Sequence, residues 1–265
     1  MSRSLRWCAF RTLGLSVGLV GYAQDEMTGE QILRKSEDKH RAKDERGVVE
    51  MVLVSASNKK SRRTMETYFK QAEGEDDHTL LRFLSPPTIR GTALLTREAS
   101  GRADDQWVYL PAFKKAKKIA ASGRTNRFAG TDFTFEDLRT EDFSANTYER
   151  VKDETIEIGK ESFRCYVIRA TPKDLDVTGY SKRLIYMEKE RLLTVRVKFF
   201  DHKKRHQKTM TNRGFEQVSG LWRFKRSMME DHLEGSKTLW QFKERKINPG
   251  LAGSLFTKRN LERGL

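Results

Sequence analysis

Apolar and polar residues alternate with a period of two along most of the chain. In residues 193–199, Leu193, Val195, Val197 and Phe199 share one face; in residues 62–70, Met65, Thr67 and Phe69 stand opposite Thr64, Glu66 and Tyr68. Successive side chains of a strand point to opposite faces, so this pattern predicts strands with at least one covered side. The same reading predicts strands over 48–57, 62–70, 79–84, 92–98, 105–110, 114–120, 147–156, 162–170, 181–188, 192–200, 206–218, 222–229 and 238–247. Asn58-Lys59-Lys60 predicts a turn, Pro86-Pro87 forbids helix between two strands, and Pro111 separates two more. About a dozen antiparallel strands in one domain predict a large curved sheet or barrel.

Helical signals are confined to the two ends. Thr28 and Gln31 have the spacing of a capping box, and with Ile32 and Leu33 they predict one amphipathic helix ending near Gly47. At the other end Asn248 is a candidate N-cap and Pro249 a first helical residue. A short C-terminal helix is expected there, with Leu255, Phe256 and Leu261 as its apolar side.

The first 23 residues read differently. Arg3, Arg6 and Arg11 precede an uncharged apolar run over 12–22, and Gly21-Tyr22-Ala23 places small residues before Gln24. That order is the pattern of a cleavable secretory signal, and the run is too short to span a bilayer, which takes about 20 residues. The expected organisation is a leader over 1–23 and one exported domain over 24–265. Cys8 leaves with the leader, so Cys165 stands alone and no internal disulfide is expected. In the strand-like stretch 162–170 it reads as an inert core thiol.

The 265 residues carry a formal charge of +15; losing the leader's three arginines leaves +12. In a cytoplasmic protein that excess would suggest nucleic acid. In an exported one it points to anionic membrane surfaces, and no nucleic-acid partner is expected.

Candidate chemistry is sparse. Nucleophile elbows, phosphate loops and zinc-protease motifs are absent. His202 and His206 have a helical metal spacing but sit in the basic run Asp-His-Lys-Lys-Arg-His, which reads as a turn. Asp132, Glu136 and Asp137 could do acid–base work, yet Arg124, Arg127 and Arg139 lie close by in sequence, and ion pairing is the simpler role. No catalytic residue, metal or cofactor is expected.

The stretch 104–138 stands out instead. In residues 106–110, Trp107 and Tyr109 share one face while Val108 and Leu110 share the other, so both faces need an apolar cover. Gly123 and Gly130 bracket a loop carrying Phe128, and Phe133 and Phe135 follow closely. Two-sided apolar strands fit a sheet wrapped around a cavity. Trp107, Tyr109, Phe128, Phe133 and Phe135 are the candidates for a hydrophobic cavity or its rim. Lys114, Lys115, Lys117 and Lys118 are the candidates for contact with a membrane or an acidic partner.

The succession of Phe83, Pro87, Gly91-Thr92, residues 107–111, the basic run to Ile119 and Gly130-Thr131-Asp132-Phe133 resembles the exported bacterial proteins called outer-membrane lipoprotein-sorting proteins, of the LolA-like superfamily of periplasmic carriers. The ending Asn248–Glu262 is similar as well, so the resemblance covers essentially the whole chain after the leader. It implies a mainly β fold with a few helices: an unclosed, strongly bent antiparallel β-barrel, its open mouth under a helical lid. It also implies a periplasmic, non-enzymatic carrier of lipoprotein or lipid acyl chains, and an RND-type inner-membrane transporter as partner. Two other readings stand beside it: a non-catalytic adaptor of such a transporter or envelope complex, with a filled core, and a lipid-acting enzyme.

Overall fold

The computed structural model of the protein describes residues 27–71, 76–99 and 104–263; the expected leader over 1–23 lies outside the described residues. The helix α1 (Gly29–His40) comes first. Then follow β1 (Asp44–Val54), β2 (Lys60–Gln71), β3 (Asp77–Ser85), β4 (Ala93–Arg97), β5 (Asp105–Leu110) and β6 (Lys115–Lys118). After an irregular segment come β7 (Asn146–Ile158), β8 (Glu161–Pro172), β9 (Lys182–Glu188), β10 (Leu193–Phe200), β11 (His206–Val218), β12 (Leu221–Asp231), β13 (Ser236–Ile247) and the helix α2 (Lys258–Arg263).

The described strands form one antiparallel sheet in the order β6-β5-β4-β3-β2-β1-β13-β12-β11-β10-β9-β8-β7. Two meanders of neighbouring hairpins are thus joined where the first strand pairs with the last, Glu45 opposite Ile247 and Val54 opposite Lys237. β6 and β7 are the two edges and do not pair, so the sheet stays open. One buried cluster draws Met51 from β1, Phe83 from β3, Leu94 from β4, Ile168 from β8, Met187 from β9, Val197 from β10, Met229 from β12 and Trp240 from β13. Strands from nearly the whole width of the sheet can meet in one cluster only if the sheet bends around it. This is the bent, unclosed barrel that the resemblance implied.

The two helices do not share a face. Ile32 and Leu33 of α1 lie in the large inner cluster. Leu261 of α2, with Phe256, packs instead on Tyr68, Leu80, Ala93 and Leu95. Leu94 points into the inner cluster while its neighbours Ala93 and Leu95 point away, so α2 buttresses the outer face and, of the two helices, α1 covers the concavity.

Both ends depart from the sequence reading in one respect each. α1 ends at His40 rather than near Gly47, because Asp44 already pairs with Lys70 in the sheet. Asn248 caps no helix. It sits at φ 53°, and its side-chain oxygen accepts from the backbone N–H groups of Lys43 (2.9 Å) and Asp44 (3.3 Å). The chain reaches α2 only after a further turn at Gly253–Phe256.

Candidate functional site

Residues 119–145, between β6 and β7, run across the concave face as a strap. Three short single-turn segments shape it, at Ala121–Gly123, Phe128–Gly130 and Glu136–Leu138. Its chain reverses at Ala129 (φ 49°) and Gly130 (φ 71°), left-handed conformations that glycine adopts without strain. Phe128 stacks on Phe83 with ring centroids 5.5 Å apart, and Phe133 packs on Trp240 at 4.6 Å. Both rings are buried, and Phe135 is half-buried against Phe128. The strap thereby fills the part of the concavity formed by β3 and β13.

Polar side chains fasten it to both halves of the sheet. On one side Arg139 pairs with Asp104 at 2.6 Å, Gln106 donates to the carbonyl of Phe135 at 3.0 Å, and Arg63 donates to the carbonyl of Ala129. On the other, the buried Asp132 accepts from Ser236 at 2.5 Å and from Thr238 at 2.7 Å, and pairs with Arg127 at 3.2 Å. Arg127 also reaches Asp231 at 2.7 Å. Asp137 accepts from the Tyr180 hydroxyl at 2.6 Å and pairs with Lys208 at 3.2 Å, both members being 2 % exposed. Burial, with Asp137 beside it, pushes the Tyr180 hydroxyl well above its ordinary pKa. Glu136 accepts from Thr178 and from the N–H of Gly179. The acidic cluster read from the sequence is therefore a set of anchors, although Lys208, 71 positions away, is the partner of Asp137.

What the strap leaves open is a cavity of about 400 Å³. Its floor is a single row across four strands: Ile185 opposite Val197, Val197 opposite Met210, and Met210 opposite Met229. Met187 and Phe199 widen that floor, and Leu33, Ser36 and Glu37 of α1 form part of the wall. The opposite wall is lined by the strap from Glu136 to Phe143 with the exception of Leu138, and is polar apart from Phe143. At the rim Arg183 holds Glu141 through two bonds of 2.6 and 2.7 Å, and the Tyr148 hydroxyl donates to the same carboxylate. Burial alone would raise the Glu141 carboxyl, but Arg183 and Tyr148 outweigh it and hold it below its ordinary value. Thioether side chains adapt to irregular shapes, so three methionines on an apolar wall facing a hydrogen-bonding wall suit an amphiphile whose tail varies.

α1 is tied down beside this space. Ser36 donates to the carbonyl of Leu192 at 2.7 Å, His40 meets that of Arg191 at 2.8 Å, and Lys39 reaches that of Glu190 at 3.3 Å. Near its start, a side chain at Gly29 would lie 2.9 Å from Ile168 and 3.1 Å from the backbone of β7.

The structure distributes the sequence-selected residues over three places. Trp107 and Tyr109 lie on the outer face with Phe256 and Leu261, under the C-terminal segment. Phe128, Phe133 and Phe135 lie in the concave core. None of the five lines the 400 Å³ cavity. Lys114, Lys115 and Lys117 are exposed at the tip and outer edge of the β5–β6 hairpin, and Lys118 pairs with Asp105 at 2.5 Å over the Trp107 ring. The cavity-lining residues Ile185, Val197, Met210 and Met229 were not selected. Their signal in the sequence is only that each sits on the apolar side of its strand; the register that sets them in one row is not written there. His202 bonds the Thr178 carbonyl and His206 bonds Thr209, so they share no ligand position. Burial pushes the Cys165 thiol up to about 12, consistent with an inert core residue. Among the described residues no helix is long and apolar enough to cross a membrane, and no group of three His, Cys, Asp or Glu could hold a metal ion.

No curated protein sequence matches the chain. A family model whose description is uncharacterized protein-like matches residues 75–263. Among solved structures, a domain described as an outer membrane lipoprotein-sorting protein, from Vibrio parahaemolyticus, superposes with a TM-score of 0.82 at 29 % identity, covering 89 % of this chain and 98 % of that one. A DUF1329 family protein from Desulfovibrio piger gives 0.82 at 26 % identity, covering 88 % and 97 %. A LolA superfamily protein from Nitrosomonas europaea, 20 % identical over 88 % of this chain and 99 % of that one, shares the fold with a TM-score of 0.68. By the match over most of its length, the chain belongs to the family whose model is described as uncharacterized protein-like; it is similar to the lipoprotein-sorting domain and the DUF1329 family protein, and it shares the fold of the LolA superfamily protein.

Proposed function

We propose that the protein is an exported, non-catalytic carrier working in the periplasm. It binds acyl chains of lipoproteins or lipids in the space between α1, the strap and β9–β12, and moves them toward the outer membrane. The observation that carries this reading is the cavity of about 400 Å³, with an apolar floor of Ile185, Val197, Met210 and Met229 facing a polar strap wall. The similarity to a domain described as lipoprotein-sorting supports it. Each methylene taken from water gains about 0.8 kcal/mol, so even part of one chain seated on that floor is held usefully. The polar wall, with Glu141 and Arg183 at its rim, faces the cargo's head.

Native mass spectrometry of the protein from a periplasmic extract, followed by organic extraction, tests the reading. Stoichiometric acyl cargo is expected, with a loss of roughly tenfold or more in fatty-acid-probe affinity for Met210→Trp, which fills the floor. A clean apo mass with no probe uptake would sink the carrier and leave the half-barrel as an adaptor of an RND-type transporter.

A further inference from the structure

The β5–β6 hairpin exposes two large apolar residues at its tip, Leu110 and Phe113, where a folded chain ordinarily hides them. β5 ends at Leu110, a single turn over Pro111–Phe113 follows, and Lys114 at φ 49° reverses the chain into β6. Phe113 is 74 % exposed, the most among the described large apolar residues, and Leu110 beside it is 38 % exposed. Lys114, Lys115 and Lys117 are all exposed, and none has an ion pair among the described residues. The exposed Lys258 and Arg259 lie on α2, which packs against β5 and β6 and whose Glu262 accepts from the Ala116 N–H at 3.0 Å.

Lysines on an edge strand guard against pairing with another chain, and β6 is an edge. That role accounts for Lys115 and Lys117. It does not account for a phenylalanine held in water at the turn that precedes them. A convex tip offers no groove for a partner's side chain and far less area than the roughly 1,200 Å² of a stable protein interface. A bilayer needs neither: an aromatic and a leucine enter the interfacial zone while cations meet anionic headgroups. We infer that the β5–β6 tip is a membrane-docking wedge, Phe113 and Leu110 inserting into an anionic bilayer whose headgroups are held by Lys114, Lys115 and Lys117.

Flotation of the leaderless protein with vesicles of phosphatidylcholine, alone or mixed with phosphatidylglycerol, tests this. Binding is expected only to the anionic vesicles and should weaken with salt. Phe113→Ala should cut partitioning about tenfold, and Lys114→Glu about fivefold or more. Phe113→Trp should retain binding and show a blue-shifted emission on the vesicles, an added signal over the unaltered protein. Absence of flotation, or equal flotation of Phe113→Ala, would overturn the wedge, as would an acidic protein bound at this tip in place of vesicles. The readout is vesicle association of an exposed-tip variant, so it stands or falls separately from what the cavity holds.

Discussion

Asp77, at the start of β3, is the clearest single residue whose charge the fold opposes. It is 5 % exposed, and burial, with Glu98 next to it, pushes its carboxyl up to about 7. Arg41 lies 4.0 Å away and offsets only part of this, while Glu37 and Asp76 add to it. In the unfolded chain Asp77 ionises near its ordinary value of 3.8. Below that value it is protonated in both states and its environment costs nothing. As pH rises toward 7, ionisation favours the unfolded chain, so this residue's share of stability is lost across that window. Asp77→Asn removes the effect: it should stabilise the protein by on the order of 3 kcal/mol at pH 8 and change little near pH 4. Urea denaturation at both pH values checks it, and an equal effect at the two would refute the assignment to ionisation. Glu141 shows how context decides the sign, since it too is drawn from water but Arg183 and Tyr148 keep it ionised.

At the scale of elements, α1 is held by a few specific approaches more than by a broad face. Its N-cap was legible: Thr28 accepts from the Gln31 N–H, and the Gln31 side chain accepts from that of Thr28. Its end was not, because Asn248, more than 200 residues away, fixes where β1 begins. The strands were legible to within a few residues, and the span 206–218 coincides with β11, since hairpins in a meander repeat a local pattern. Which face each strand turns inward was not, because both faces of β4 and β5 are apolar and alternation cannot rank them. Gly29→Leu tests the close approach of α1 to β7 and β8. With Ile168 at 2.9 Å there is no room for a side chain, and overpacking of this kind costs about 1–3 kcal/mol. Hydrogen exchange should quicken over residues 29–40 while β10–β13 stay protected. Uniform loss of protection would mean that the helix and the sheet unfold as one unit.

For the whole molecule, the question is what keeps an unclosed sheet bent. Strands β1–β6 and β7–β13 meet only along β1 and β13. The strap crosses from one half to the other, with Asp104, Gln106 and Arg63 on the near side and Asp231, Ser236, Thr238 and Lys208 on the far side. It also decides where the cavity lies, because its phenylalanines occupy one part of the concavity and leave the rest. The sequence displayed those aromatics plainly. It could not show that they plug the concave face and bound the cavity without lining it, because the far-side anchors lie from 42 to 106 positions away and the strap has no period to read. Asp132→Ala tests the strap as a fastener. It removes the acceptor of Ser236 and Thr238 and one of the two carboxylates that Arg127 pairs with, leaving Asp231. Unpairing buried polar groups costs about 1–3 kcal/mol each, so a loss of about 2–4 kcal/mol is expected in urea denaturation. Asp132→Asn keeps an acceptor and should lose less. Since local opening precedes global unfolding, trypsin should cut the folded Asp132→Ala protein at Arg124 or Arg127, where the unaltered chain resists. If stability falls but those sites stay uncut, Asp132 merely supports β13, and the curvature is held by the sheet itself.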